Sequence, residues 1–148
     1  MGYVKSFNLN GIYIETTVTN ERNVIDDHIS RFERQVNDYD NCMTKFFGFD
    51  TEWRVSSYGV ACCQCAISLA DGRSCLIIPL SSSVTVSIPQ SLVNFLSHPN
   101  YTFVGIGIKD NVTDIKNVYG IGCRNAVELG PWAARVYCST RMSYYGVD

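Results

Sequence analysis

The stretch Phe46-Phe47-Gly48-Phe49-Asp50-Thr51-Glu52-Trp53 decides how the rest of the chain is read. An apolar run, Phe46 to Phe49, leads into two carboxylates one residue apart. Successive side chains of a strand point to opposite faces, so Asp50 and Glu52 share one face and Thr51 takes the other. Two acids side by side at the end of a buried strand repel each other, and a divalent cation relieves that repulsion. The pair therefore reads as half of a metal site. The plain alternative is a strand end reaching solvent, where acids are common.

Working outward, the 148 residues suffice for one domain over 1–148 with a real core. A hydrophobic share of 46% beside a charged share of 18% is that of a globular protein, and no stretch reads as a membrane span. The net charge of −2 excludes whole-protein attraction to nucleic acid, so any such contact needs a local patch or a bridging metal. Seven cysteines are an odd number, and no charged leader followed by an apolar run opens the chain. Reduced thiols and an intracellular location, nucleus or cytoplasm, are expected. Cys62, Cys63 and Cys65 crowd one strand at a spacing unlike the paired CxxC of a structural zinc site, and read as small buried apolar residues.

Tyr3 to Val18 alternates around Asn10-Gly11, a hairpin signal. Thr19 or Asn20 can cap a helix whose apolar stripe is Val24, Ile25, Ile29, Phe32 and Val36, with His28 at its boundary. Asn37 to Asn41 is a polar turn, Lys45 to Trp53 the central strand, and Arg54 to Gly59 a loop. Val60 to Leu69 and Ser74 to Leu80 are strands joined by the Asp71-Gly72 turn, and Ser81 to Ser87 is a loop. Pro89 opens a helix with Leu92, Val93, Phe95 and Leu96 on its apolar face, and Pro99 closes it. A buried strand over Tyr101 to Ile108, a helix near Asp110, a short strand over Asn125 to Leu129 and a helix from near Pro131 complete the order. An antiparallel meander followed by βαβα units predicts an α/β fold, a mixed sheet flanked by helices.

With these elements in place, the chain resembles the 3′–5′ exonuclease domain of Werner-syndrome-type proteins, especially the short plant-type members. That group lies in the DEDD, RNase D-like branch of the ribonuclease H-like superfamily. The matching stretches are FFGFDTEW at 46–53, VACCQCAI at 60–67, FVGIGIKDNVTDI at 103–115 and NAVELGPWAARV at 125–136, together with ETTVTN at 15–20.

The resemblance implies four acids holding two ions, Mg²⁺ or Mn²⁺, at the 3′ end of a nucleic acid, one ion activating water and the other stabilising the leaving oxygen. Asp50 and Glu52 match the first motif. Asp110 and Asn111 compete for the second. Asn111, Ile115 and Val118 lie on one helical face, and NAVEL falls in register only from Asn111, so the second acid reads as an asparagine. The amide lacks the carboxylate's charge, and a hard cation depends on that charge. Tyr144 to Asp148 has the Tyr-x-x-x-Asp spacing of the third motif, but only 19 residues separate Leu129 from Asp148. The expected chain therefore stops before that motif and lacks the C-terminal helices. Near the expected groove, Trp53, Arg54 and Lys109 are candidates for nucleic-acid contact. The expected function is a weak or inactive exonuclease-like module that binds nucleic acid or a protein partner. The alternative is an active nuclease using Asp50, Glu52, Asp110 and Asp148. Uncovered apolar surface around Trp132, Val136, Tyr137, Met142, Tyr144 and Tyr145 predicts a homo-oligomer.

Overall fold

The period-two alternation of the central strands sets one sheet face against the helices. The computed structural model describes residues 2–37, 45–54, 64–81 and 87–138. Its elements are β1 (Tyr3–Leu9), β2 (Ile12–Val18), α1 (Arg22–Asn37), β3 (Lys45–Arg54), β4 (Gln64–Ala70), β5 (Ser74–Ser81), α2 (Gln90–Leu96), β6 (Tyr101–Gly105), α3 (Ile108–Tyr119), β7 (Ala126–Glu128) and α4 (Leu129–Val136). The strands form a 7-stranded sheet ordered β1-β2-β5-β4-β3-β6-β7. β3, β4 and β5 form an antiparallel meander, while β6 runs parallel to β3 and β7 parallel to β6. The β1–β2 hairpin turns at Asn10 and Gly11, both with positive φ, and attaches through a parallel β2–β5 pairing.

Cross-strand partners explain the core. Phe49 pairs with Leu69, Leu69 with Leu76, Ile67 with Ile78 and Phe47 with Phe103, so these side chains share one face. Ile25, Ile29 and Phe32 of α1, Leu92, Phe95 and Leu96 of α2, and Ile108 and Ile115 of α3 pack against them in one cluster. Phe32, Phe47, Phe95 and Phe103 meet edge-to-face, tilted or stacked at centroid separations of 4.7–5.9 Å, which adds directional packing to the buried area. The other face carries Phe46, Gly48, Asp50 and Glu52 on β3, with Ser68, Ala70 and Val104 paired beside them.

Three local expectations are corrected. The strand predicted over Tyr101 to Ile108 ends at Gly105, because Gly107 takes a left-handed φ of 65° and starts α3 at Ile108. Val118 is exposed, and the buried side of α3 runs through Ile108, Val112, Ile115 and Tyr119 instead. His28 is not a boundary residue but is fully buried. The polar turn beyond Asn37, the loop after Arg54, Cys62 and Cys63, most of the loop after Ser81, and Met142, Tyr144, Tyr145 and Asp148 lie outside the described residues, as does the Val36 side chain.

The His28 ring packs edge-on against Phe32, with Nδ1 2.8 Å from an Arg31 guanidinium nitrogen. Nε2 has no hydrogen-bond partner among the described residues. Burial, reinforced by the Arg31 charge, lowers its pKa, against smaller opposing effects of Asp71 and Glu15. The unfolded chain therefore takes up the proton first as pH falls, and stability drops as pH falls through the ordinary imidazole value of 6.5. Urea melts on either side of that value should show a loss approaching about 1.4 kcal/mol per pH unit from this group. The slope should flatten in His28→Leu, and an unchanged slope there would remove His28 as the cause.

Candidate functional site

β3 lies between β4 and β6, and its acids emerge beside the point where β6 stops. Gly105 permits the approach: a Cβ there would lie 2.3 Å from the Phe49 carbonyl oxygen. The chain then turns at Gly107, whose amide donates to Glu128 Oε1 at 2.7 Å. Glu128 thereby ties the start of α3 to the end of β7 and places negative charge at the positive end of the helix. Local patterning could not reveal this pair, because 21 residues separate its members.

α3 brings Asn111 to β3. Its Nδ2 donates to Asp50 Oδ1 at 3.2 Å, and the same oxygen accepts the Thr51 amide at 2.9 Å. Asp50 and Asn111 are half-buried, whereas Glu52 and Asp110 are exposed. The structure thus joins Asn111, not Asp110, to Asp50. Asp148 lies outside the described residues. A hollow of about 290 Å³ opens beside Asp50, lined by Gly48, Ser68, Ala70, Val104 and Ile106 among others.

The family resemblance implies two ions beside Asp50 and Glu52. No group of three or more His, Cys, Asp or Glu side chains is arranged to hold a metal among the described residues. Asp50 Oδ1 is already turned to two N–H donors, one of them the Asn111 amide. That amide supplies partial positive charge at a place where a shared cation would need another carboxylate. The described residues do not fit a two-ion centre.

Of the candidate nucleic-acid contacts, Arg54 and Lys109 are exposed. Trp53 stacks on Tyr119 at 6.2 Å and donates from Nε1 to Thr51 Oγ1 at 3.2 Å. Strand alternation puts it on the face opposite Asp50 and Glu52. Cys65 and Cys123 are not poised for chemistry near neutral pH. Burial pushes the Cys65 thiol up to about 12 and Cys123 to about 11, which keeps both protonated.

The fold is similar to that of solved structures of the EXD2 exonuclease domain. The EXD2 exonuclease domain superposes with a TM-score of 0.69 and 16% identity, over 90% of this chain and 65% of that one. The same domain soaked in Mg and GMP gives 0.68 and 17%, over 84% and 60%. Soaked in Mn and GMP it gives 0.61 and 17%, over 83% and 60%. The chain thus spans about 60–65% of the length of these solved chains. No known family profile and no curated protein sequence matches it. No helix among the described residues is long and apolar enough to cross a membrane.

Proposed function

We propose that this chain is a 3′–5′ exonuclease-like domain with weak or no cleavage, which serves as a nucleic-acid-binding or protein-interaction module. The observation that carries the reading is the Asn111 amide donating to Asp50. A neutral donor satisfies the carboxylate there, so one divalent cation, Mg²⁺ or Mn²⁺, is held weakly at most by Asp50 and Glu52. The fold shared with EXD2 supports a nucleic-acid 3′ end as ligand, with Arg54 and Lys109 as its exposed cations. Trp132, Val136 and Tyr137, each more than half exposed around α4, support a protein-facing role for that surface.

Digestion of 3′-overhang DNA and single-stranded RNA with Mg²⁺ or Mn²⁺ tests the reading. The native chain and Asp50→Ala should both stay within about tenfold of background, the spread that 1.4 kcal/mol of barrier produces. Robust cleavage by the native chain, abolished in Asp50→Ala, would establish an active nuclease instead.

A further inference from the structure

β1 is the outermost strand of the sheet, and its outer edge pairs with no strand among the described residues. All seven of its residues are exposed, with Tyr3, Val4, Phe7 and Leu9 between 48% and 62% accessible. The strand carries no proline, an unbroken register with β2, and Lys5 as its only charge. Natural edge strands are usually kept apart by short length, proline, bulges or several charges, and β1 has almost none of these.

The register of β1 with β2 fixes which backbone groups face outward. The tight turn at Asn10-Gly11 makes Leu9 and Ile12 a hydrogen-bonded pair. Alternation then turns the N–H and C=O groups of Tyr3, Lys5, Phe7 and Leu9 toward β2, and those of Val4, Ser6 and Asn8 away from it. An antiparallel copy of β1 centred on Ser6 meets this pattern completely. Ser6 faces Ser6, Val4 faces Asn8 and Asn8 faces Val4, each pair joining two outward-pointing residues.

The side chains agree with that register. Tyr3 comes opposite Leu9, and Lys5 opposite Phe7, in both halves. No like charges meet, and each Lys5 gains a second aromatic face of the kind it already approaches within its own chain, 5.2 Å from the Phe7 centroid. Tyr3, Phe7 and Leu9 lie at pairs without hydrogen bonds, where side chains come closest, while Val4 lies opposite Asn8 in a hydrogen-bonded pair.

We infer that β1 is a self-association edge, through which two copies of this chain pair antiparallel about a twofold axis at Ser6. The sheet then runs without interruption from one copy into the other. This interface is separate from the Trp132 surface around α4 and does not depend on the exonuclease-like reading.

Sedimentation of the full chain over micromolar concentrations should give twice the 16.6 kDa chain mass. Ser6→Pro should weaken the dimer by about tenfold or more while circular dichroism and the melt stay native, because the lost N–H faces away from β2. Ser6→Lys sets two cations opposite each other and should weaken the dimer at low salt, with salt restoring it. Ser6→Cys should cross-link at position 6 on mild oxidation, since hydrogen-bonded antiparallel partners lie about 5.5 Å apart, within disulfide reach. A monomer throughout the range would overturn the proposal. So would a dimer indifferent to Ser6→Pro and Ser6→Lys, a dimer lost only in Trp132→Ser, or the absence of any cross-link at position 6. Should Ser6→Pro unfold the hairpin, the lysine and cysteine variants decide.

Discussion

Asn111→Asp is expected to make the chain's thermal stability depend on Mg²⁺ or Mn²⁺, which the native chain should hardly show. The native amide gives Asp50 Oδ1 a hydrogen bond at 3.2 Å. A carboxylate in its place loses that bond and sets two like charges in contact. At about 4 Å such a pair costs roughly 1–4 kcal/mol across the effective dielectrics found near protein surfaces and in water. The metal-free variant should therefore melt several degrees below the native chain, at about 2–4 °C per kcal/mol for this size. A cation between the two carboxylates reverses the sign of the effect. At a concentration 100 times its dissociation constant it returns about 2.7 kcal/mol. The measurement is a melt with and without metal, and needs no cleavage. Asp110→Asn is the control: Asp110 is exposed and unjoined to Asp50 by any described contact, so its loss should leave the metal response unchanged. Metal-dependent cleavage gained only in Asn111→Asp would accompany the melt result. An equal metal shift in the native chain would show that the amide does not replace a cation, and would sink the proposed function. This outcome leaves the β1 interface untouched.

The parts of this fold legible in the sequence are those set by local patterning. Alternation through Phe47, Phe49 and Thr51, and again through Cys65, Ile67 and Leu69, marks the strands and their buried face. Asn10-Gly11 and Asp71-Gly72 mark turns by supplying positive φ. In the second, Asp71 Oδ1 also accepts the amides of Arg73 and Ser74. What pattern hides is chiefly long-range. The parallel pairing of β2 with β5 leaves no local sign, and neither does the Glu128 carboxylate at Gly107. The end of β6 is hidden for another reason. Phe103 to Ile108 continues the apolar run past Gly105, and only the left-handed turn at Gly107 breaks it. Sequence spacing puts His28 at the boundary of the α1 apolar stripe, yet it is fully buried with its ring edge-on against Phe32. At the site, counting four residues back from Ile115 reaches Asn111, whose distance from Asp50 is set by how closely β6 and β3 converge. The geometry of that convergence depends on a glycine that sequence alone gives no reason to single out.

At that glycine an added methyl group would meet backbone at 2.3 Å, closer than at Gly2, where the nearest atom would lie at 2.7 Å. Gly105→Ala should destabilise the fold by about 3 kcal/mol, the upper part of the usual range for overpacking. The added Cβ would lie 2.3 Å from the Phe49 carbonyl oxygen and 3.4 Å from both the Phe49 carbonyl carbon and the Ile108 Cβ. The obstacle is backbone in the middle of the core sheet, so no side-chain rotation relieves it. Either β6 or β3 must move, and both are anchored by Phe47 and Phe103 in the same cluster. Gly48→Ala provides the contrast on the neighbouring strand. Its Cβ would meet the Ala70 Cβ at 3.6 Å, an ordinary contact, so that variant should be neutral or gain a few tenths of a kcal/mol from reduced chain entropy. Urea melts of the two variants separate steric exclusion from a general dislike of alanine in these strands. The displacement forced by Gly105→Ala falls at Phe49, next to Asp50, and at the segment leading to Asn111. It should therefore also weaken metal binding in an Asn111→Asp background, whereas Gly48→Ala should weaken it less. Equal stability losses in the two variants would mean that the approach of β6 to β3 is looser than the 2.3 Å contact implies, and that the spacing of Asp50 and Asn111 is not set by Gly105.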